Sequence, residues 1–348
     1  MSKKQICVLF GGVSSEHEVS RMSVQFILNS LNKEKYQIHM IAITKCGKWF
    51  YYDDEVERIT EGHFAERGFD RAVLSPDRGD RCIMRFHGDE AERIPIDAAI
   101  PVLHGKNGED GTIQGLLELA GIPYVGSKVV GSAVCMDKCI AKIIFKHMGI
   151  PQADWVERKI GDPLCPEEIE EKIGYPCFVK PSNAGSSVGV SKATNREELE
   201  KAVEVAFAED YKLLIEPMID CREVECSVMG NLVPRAAEVV GEIAPAKEFY
   251  DYEAKYQDEN SRLMIPAPLS KETVAQIREY AVKAYRACEC RGLARVDFFV
   301  ERTTGEIFLN EINTLPGFTS ISMYPKLWAA SGMECGELLD CLIELAEE

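Results

Sequence analysis

The sequence predicts an α/β protein that begins with a doubly wound parallel sheet and continues as a mixed α+β C-terminal part. Strand-like and helix-like segments alternate through the first third of the 348 residues, as is typical of parallel sheets. From about Gly126 the alternation is lost, and the last third contains strands that pair around turns. Ligands of such folds bind beyond the carboxyl ends of the parallel strands, so we expect functional loops there.

The N-terminal elements follow from apolar runs and glycine breaks. A buried strand, QICVLF, runs into the Gly11-Gly12 turn, and a helix with an apolar stripe that includes Val19 and Met22 comes next. The further strands are YQIHMIAIT, IDAAIPVLHG and IPYVG, and a helix over residues 112–120 separates the last two. The polar stretch from 53 to 89 carries no pattern to which a function can be attached.

Cap residues mark the later helices. Asn195, with Glu198 three residues on, and Ser270 each precede an amphipathic run and are expected to cap a helix. The segment CMDKCIAKIIFKHMG reads as helix that stops at Gly149. Short strands are expected at PCFVKP, KLLIEPMI, VECSVMG and AAEVVGEI.

Composition excludes several classes of protein. The formal net charge is −17 and no long Lys/Arg run is present, so a nucleic-acid partner is not expected. No stretch approaches the ~20 apolar residues that span a bilayer, and the start, MSKKQICVLFGG, does not have the pattern of a signal peptide. The 13 cysteines lack any C-x-x-C pair, which favours reduced thiols in a cytoplasmic protein over disulfides or a zinc site.

The most informative stretch is LARVDFFVERTTGEIFLNEIN, which predicts two strands around a turn centred on Thr304. That turn sets Asp297 opposite Glu311, and alternation puts Arg295 and Asn313 on the same face. Two carboxylates and an amide are oxygen ligands that suit Mg²⁺ bound to phosphates, and the arginine could stabilise developing negative charge. A polar hairpin face with a salt bridge is the alternative. The following TLPGFTS favours the functional interpretation, because its turn can point N–H groups at an anion.

A second constellation is FVKPSNAGSSVGVSK. Lys180 ends a strand, and a loop follows in which Gly185 and Gly189 allow close approach of a ligand while Ser186 and Ser187 supply hydroxyl donors. The composition is that of a phosphate-covering flap or of an ordinary surface loop. Neither a Walker A loop nor a Rossmann glycine pattern occurs in the chain.

Four weaker signals lie elsewhere. Lys138 in CMDK offers a second phosphate contact, and His104 ends a predicted strand in VLHGKNGEDG. Glu16 follows the first glycine turn, where it can bind a substrate or complement a helix dipole. The segment EFYDYEAKY, which contains Lys255, is polar and rich in tyrosine and suggests a lid.

Taken together in this order, the motifs resemble those of D-alanine–D-alanine ligases, which have the ATP-grasp fold. The resemblance covers essentially the whole chain, through GGVSSEHEVS, LHGKNGEDG, CMDK, VKPSNAGSSVG, EFYDYEAKY, RVDFF and LNEINTLPGFTS. It implies an N-terminal substrate-binding domain over 1–127, a central ATP-grasp domain over 128–217, and a C-terminal ATP-grasp domain with the metal and catalytic residues over 218–348.

The resemblance also implies roles for individual residues. Glu16 would hold the ammonium group of the first amino acid and orient Ser186 and Tyr256, with His104 beside that subsite. The residues expected to bind the nucleotide are Lys138, Lys180 and Lys255 on the phosphates, Ser187 in the flap above them, and Glu216 and Glu223 at adenine and ribose. The expected magnesium ligands are Asp297, Glu311 and Asn313. Arg295 and the N–H of Gly317 would form the oxyanion site, and Ser322, with Met323 beside it, would dock the second carboxylate.

The activity implied is ATP-dependent joining of two D-alanines through an acyl phosphate, in peptidoglycan precursor synthesis. Two Mg²⁺ ions are expected, for which Mn²⁺ can substitute, and a cytoplasmic homodimer. Tyr256 and SISMYP favour D-alanine as the second substrate over D-lactate or D-serine. The rivals are another ATP-grasp carboxylate–amine ligase and a nucleotide-binding regulator without turnover, which would have no need of an oxyanion arginine.

Overall fold

The computed structural model describes residues 2–62, 67–185, 188–244 and 262–348. Its N-terminal elements are β1 (Lys4–Gly11), α1 (His17–Ser30), β2 (Tyr36–Ile43), β3 (Trp49–Tyr52), a 3-10 helix (Val56–Glu61), β4 (Arg71–Leu74), β5 (Cys82–His87), β6 (Glu90–Pro95), β7 (Ala98–Val102) and α2 (Thr112–Ala120).

The N-terminal sheet is mixed, with strand order β6-β5-β4-β3-β2-β1-β7. The predicted parallel arrangement is present where β1 pairs with β2 and β7. The four strands from β3 to β6 are antiparallel and extend the sheet beyond the parallel part. These four strands were not predicted from the sequence. They are short and joined by tight turns, such as Gly88-Asp89 between β5 and β6, so they lack the long apolar runs of the buried parallel strands.

The central part consists of α3 (Val129–Met136), α4 (Lys138–His147), β8 (Val156–Lys159), α5 (Pro166–Lys172), β9 (Cys177–Pro181), β10 (Ser191–Ala193), α6 (Arg196–Glu209) and β11 (Lys212–Pro217). Its four strands form an antiparallel sheet in the order β10-β9-β11-β8. Asn195 caps α6 as predicted, because its side chain accepts a hydrogen bond from the N–H of Glu198.

The expectation that CMDKCIAKIIFKHMG is helical throughout is wrong at Asp137. This residue has an extended backbone between α3 and α4, and its carboxylate accepts a hydrogen bond from the N–H of Ile140. Aspartate is among the preferred N-cap residues because it satisfies a free N–H of the first turn. The consequence for the site is that Lys138 becomes the first residue of α4.

The C-terminal part consists of β12 (Cys221–Met229), β13 (Arg235–Ala236), β14 (Gly241–Ala244), β15 (Arg262–Met264), α7 (Lys271–Ala287), β16 (Leu293–Glu301), β17 (Ile307–Asn313), α8 (Met323–Ala330) and α9 (Cys335–Glu347). Its antiparallel sheet has the order β15-β14-β12-β16-β17, with β13 paired to β12. Ser270 caps α7 as predicted, accepting a hydrogen bond from the N–H of Thr273.

The C-terminal helices pack against the N-terminal sheet, so the two ends of the chain share one hydrophobic core. Phe10 of β1 and Trp328 of α8 belong to the same buried cluster. At its edge, the hydroxyl of Tyr36 donates a hydrogen bond of 2.8 Å to Asp340. The predicted apolar stripe of α1 is wrong at Met22, which is 39% exposed.

Within the described ranges, none of the helices combines the length and apolar character needed to cross a membrane. All thirteen cysteines are free thiols.

Candidate active site

The hairpin of β16 and β17 has the predicted register at the end that carries Arg295 and Asp297. Asp297 lies opposite Glu311, and Arg295 lies opposite Asn313. Closer to the turn, Phe298 pairs with Leu309, so Asn310 is an extra residue on β17. This bulge lets the apolar side chains near the turn and the polar side chains of the site face opposite sides of the sheet.

Three carboxylates form a row across the sheet. Glu225 of β12 lies opposite Asp297, which lies opposite Glu311. Glu225 is 7% exposed. Like charges on neighbouring strands repel, so this row needs cations close by. Arg295 and Lys138 supply them.

Arg295 binds the row from the adjacent position. Its Nε and Nη2 each donate a hydrogen bond of 2.7 Å to the carboxylate of Asp297, and its Nε lies 3.0 Å from Glu225 Oε2. Burial lowers the pKa of Arg295, but the charges of Asp297 and Glu225 outweigh this and hold the pKa well above its usual range. The guanidinium is therefore a permanent positive charge on the predicted magnesium face. Glu225 was not predicted from the sequence, although it lies two residues from the predicted Glu223 and therefore on the same face of β12.

Lys138 joins the central part to the C-terminal sheet. Its Nζ donates a hydrogen bond of 2.7 Å to the carbonyl of Ala184 and lies 3.5 Å from Glu311 Oε2. Asp137 fixes this end of α4, because its carboxylate accepts a hydrogen bond from the hydroxyl of Ser182 and pairs with Lys212. A predicted phosphate lysine and a predicted metal ligand thus lie beside each other.

Asn183, at the start of the predicted flap, is held by Asp210. Asn183 donates two hydrogen bonds of 2.8 Å to one carboxylate oxygen of Asp210, from its backbone N–H and from its side-chain amide. The predicted flap residues Ser186 and Ser187 lie outside the described residues, as do Lys255 and Tyr256 of the predicted lid.

Glu216 of β11 lies between two lysines. Its carboxylate is 2.8 Å from Nζ of Lys180 and 2.6 Å from Nζ of Lys142. Burial raises the pKa of Glu216, but the two lysines outweigh this and lower it to about 2. Glu223, also predicted at the nucleotide, is half-buried on β12. Lys142 was not predicted from the sequence, although it lies one helical turn beyond Lys138.

Glu16 approaches the loops of two different parts of the chain. A methyl group built on Gly105 would lie 2.6 Å from Glu16 Oε2, and one built on Gly185 would lie 2.5 Å from the same oxygen. The Glu16 side chain is 5% exposed. The two glycines are therefore required for the carboxylate to fit between the first glycine turn and the flap.

His104 holds the segment that follows the hairpin. Its Nδ1 lies 3.0 Å from the carbonyl of Leu315, which can only accept, so Nδ1 carries the proton. Nε2 lies 3.1 Å from the hydroxyl of Ser23. Burial lowers the pKa of His104, which favours the neutral ring. The backbone N–H of the same residue, Leu315, donates a hydrogen bond of 3.3 Å to Glu109, which was not assigned a role from the sequence.

The turn after that segment contains Gly317 and Ser322. A methyl group on Gly317 would lie 3.0 Å from Ser322 Oγ, and that oxygen accepts a hydrogen bond of 3.0 Å from the N–H of Thr319. The predicted Met323 is 3% exposed. Its sulfur packs against Gly241 of β14, so its side chain belongs to the hydrophobic core.

The site brings lysines from a four-stranded antiparallel sheet and its helix to the carboxylates and arginine of a second antiparallel sheet. With the N-terminal α/β part, this arrangement defines the ATP-grasp class of ligases. Two family models match: one described as "D-ala D-ala ligase N-terminus" over residues 5–127 and one described as "D-ala D-ala ligase C-terminus" over residues 144–344. The chain belongs to the D-alanine–D-alanine ligase family.

Comparisons with individual proteins support the same family. The D-alanine--D-alanine ligase of Ruminiclostridium cellulolyticum is 53% identical over 369 residues, covering 100% of this chain and 96% of that protein. That of Acetivibrio thermocellus is 54% identical over 361 residues, covering 99% and 96%. Among solved structures, the VanG D-Ala:D-Ser ligase of Enterococcus faecalis has a TM-score of 0.90 at 39% identity, covering 99% of this chain and 100% of that chain. The D-alanine-D-alanine ligase of Coxiella burnetii has a TM-score of 0.88 at 38% identity, covering 100% and 94%.

Proposed function

We propose that the chain joins two D-alanines into D-alanyl-D-alanine at the expense of ATP, for peptidoglycan precursors. The main structural support for this function is that Lys138 lies 3.5 Å from Glu311, beside Arg295. The chain also matches D-alanine--D-alanine ligases over its whole length. A carboxylate oxygen of the first D-alanine attacks the γ-phosphorus and ADP leaves. The amine of the second D-alanine then attacks the acyl phosphate, the carbon–oxygen bond to phosphate breaks, and the amine loses a proton.

The nucleotide phosphates bind between the central and C-terminal sheets. Lys138 and Lys180 contact them, and Glu216 and Glu223 lie at adenine and ribose. Ser187 and Lys255 complete this set from segments outside the described residues. The short distance between Lys138 and Glu311 supports the assignment, since a lysine on the phosphates and a carboxylate on their metal ion must lie close together.

Mg²⁺ is the proposed metal, with Asp297, Glu311 and Asn313 as ligands. The donor set fits a hard cation, because two carboxylates face each other across paired strands and the amide of Asn313 lies two residues beyond Glu311, on the same side of the strand. Among the described residues there is no cluster of three His, Cys, Asp or Glu side chains that could hold a metal by itself. The proposal therefore takes the remaining ligands from the nucleotide phosphates, as is common for magnesium. Bound there, two Mg²⁺ ions would neutralise charge on the phosphates.

The first D-alanine binds at Glu16, which takes its ammonium group, with His104 beside the subsite. Ser186 and Tyr256 are proposed to be oriented by Glu16. The fit of the Glu16 carboxylate against Gly105 and Gly185 supports this position, because it lies where the N-terminal loops meet the flap.

The oxyanion of the tetrahedral intermediate is stabilised by Arg295 and the N–H of Gly317. His104 and Glu109 support the second donor, because they hold the backbone carbonyl and the backbone N–H of Leu315, two residues before Gly317. Ser322 receives the carboxylate of the second D-alanine. Met323 supports this subsite indirectly, because its side chain packs in the hydrophobic core next to Ser322.

D-Alanine is the proposed acceptor, supported by relatives above 50% identity that carry the name D-alanine--D-alanine ligase. D-Serine is the second candidate, because the VanG D-Ala:D-Ser ligase has a TM-score of 0.90 to this chain. Equal concentrations of D-alanine, D-serine and D-lactate, offered with limiting ATP at neutral pH, decide between them. A predominance of either rival product would refute the assignment of the acceptor.

We further propose the division into domains 1–127, 128–217 and 218–348, a homodimeric state, and a cytoplasmic location without membrane or nucleic-acid partners. The thirteen free thiols support a reducing compartment. Light scattering of the purified protein measures the oligomeric state, and a mass of 38.9 kDa would contradict the dimer.

The experiment that tests the function is phosphate release from ATP and Mg²⁺ with D-alanine, compared with L-alanine and with no amino acid. We expect release that requires D-alanine and a dipeptide product of matching mass. Absence of D-alanine-dependent release, from folded protein that binds ATP, would refute it.

A further inference from the structure

Helix α4 presents three lysines at intervals of four residues, Lys138, Lys142 and Lys146. Residues at this spacing lie on one side of a helix. Their surroundings differ, however. Lys138 reaches Glu311, Lys146 is exposed, and Lys142 is 2% exposed. A lysine this deeply buried needs a compensating partner.

The partner of Lys142 is Glu216, at 2.6 Å from Oε1. Its Nζ also donates a hydrogen bond of 3.2 Å to the carbonyl of Ala153, and it lies 5.4 Å from the centre of the Trp155 ring. The other oxygen of Glu216 lies 2.8 Å from Lys180. One carboxylate is therefore shared by two ammonium groups, one from the helix and one from the sheet.

The two lysines are not equivalent. Lys142 is enclosed, whereas the Lys180 side chain retains 16% exposure. The cluster of Lys142, Glu216 and Lys180 carries a formal charge of one positive unit in surroundings from which water is largely excluded. Burial lowers the pKa of Lys180, but the charges of Glu216, Glu311 and Glu223 outweigh this and raise it, so Lys180 keeps its positive charge. Of the two lysines, Lys180 is the one that can reach an anion outside the cluster.

We propose that Lys142 is a positioning residue of the nucleotide-phosphate site, which anchors and neutralises Glu216 so that Lys180 is available to the phosphates. The inference rests on the function proposed above, which names the nucleotide as the anion. Without Lys142, Glu216 would rely on Lys180 within this cluster, and its full negative charge would compete with the phosphates for that lysine. Lys142 acts through Glu216 and does not itself touch the nucleotide.

Calorimetry with Mg²⁺-ADP and with adenosine tests the proposal on Lys142→Met, with Lys146→Met as the matched control. Each variant removes one positive charge from the same side of α4. We expect Lys142→Met to weaken ADP binding ~tenfold or more beyond any change in adenosine binding, because a charge-assisted contact to the phosphates is weakened. The change in adenosine binding reports any displacement of Glu216, which is proposed to lie at the adenine. Lys146→Met should bind both ligands as the wild type does. Equal weakening of ADP binding in both variants would mean a long-range field and overturn the proposal.

A double-mutant cycle with Glu216→Gln separates action through Glu216 from direct contact. In the Glu216→Gln background, Lys142→Met should have no further effect on the ratio of adenosine to ADP dissociation constants. A tenfold effect that persists there would mean that Lys142 touches the phosphates, and the proposal would be wrong. The double variant removes both members of the buried Lys142–Glu216 pair and leaves the less deeply buried Lys180, so its comparison with Glu216→Gln carries the test if Lys142→Met alone fails to fold. Wild-type ADP binding and D-alanine-dependent phosphate release, measured first, test the proposed function independently.

Discussion

Replacing Arg295 by alanine should abolish most of the turnover while leaving nucleotide affinity nearly intact. The side chain contributes two hydrogen bonds of 2.7 Å to Asp297 and an ion pair of 3.0 Å to Glu225. If it donates to the oxyanion, its loss costs ~2.7–4 kcal/mol of transition-state stabilisation, or ~10²–10³ in kcat. An interaction made only in the transition state lowers kcat and kcat/KM together, so KM for ATP should change little.

The same substitution has a structural cost that must be measured separately. It leaves two carboxylates of the row without their shared cation, and breaking a buried pair costs ~3–5 kcal/mol. Arg295 is 19% exposed, so the loss of stability should fall below that range. Thermal unfolding of the variant shows whether it is still folded at the assay temperature.

The assay is phosphate release at saturating D-alanine, with Arg302→Ala as control. Arg302 follows the strand of Arg295 on the same hairpin and pairs with Asp220 at the exposed end. We expect the control to keep its kcat. Folded Arg295→Ala with a kcat within threefold of wild type would refute the role given to Arg295.

Three further predictions concern the loops. Gly185→Ala should displace the Glu16 carboxylate and raise KM for the first D-alanine several-fold without lowering Tm. Gly115→Ala is the control, because its added methyl group would have no atom within 4 Å, and it should leave KM unchanged. Equal KM values in the two variants would contradict the position of Glu16. Burial lowers the pKa of His104 in the folded state, so the neutral ring contributes fully to stability above pH ~6.5, and this contribution is lost as the pH falls. Between pH 7 and 5, Tm should therefore fall less steeply in His104→Gln than in the wild type. Parallel curves of Tm against pH would contradict this prediction. Asn183→Ala removes the side-chain donor that clamps the flap and should raise KM for ATP with little change in Tm; an unchanged KM would show that the clamp has no part in binding.

The pairing of β16 with β17 was predictable because it depends on residues that are close in sequence. Antiparallel pairing and alternation relate Asp297 to Glu311 once the turn is located, and the structure has that pairing. The bulge at Asn310 was not predicted, although the sequence contains its signal. Ile307 and Leu309 are two residues apart, but the next apolar residue, Ile312, is three residues further on. A regular strand with one buried face would place Leu309 and Ile312 on opposite faces, so this spacing indicates an extra residue.

Contacts between distant segments could not be predicted in this way. Glu225 joins the carboxylate row through strand pairing across about 70 residues of sequence, and Glu109 meets Leu315 across more than 200. The break at Asp137 was within reach, since aspartate is a preferred N-cap, but the apolar pattern on both sides concealed it. Among the antiparallel strands between Trp49 and Pro95, β3 and β4 have only four residues each and β6 is largely polar, so these strands do not stand out from loops.

The central claim, transfer of the γ-phosphoryl group of ATP to a D-alanine carboxylate before the peptide bond forms, can be tested with D-alanine labelled with ¹⁸O in both carboxylate oxygens. Mass spectrometry of the products follows the label. The account predicts one labelled oxygen in each phosphate released and a dipeptide that retains the other three. If the released phosphate contained no ¹⁸O, water and not the D-alanine carboxylate would have attacked ATP. That result would contradict the mechanism.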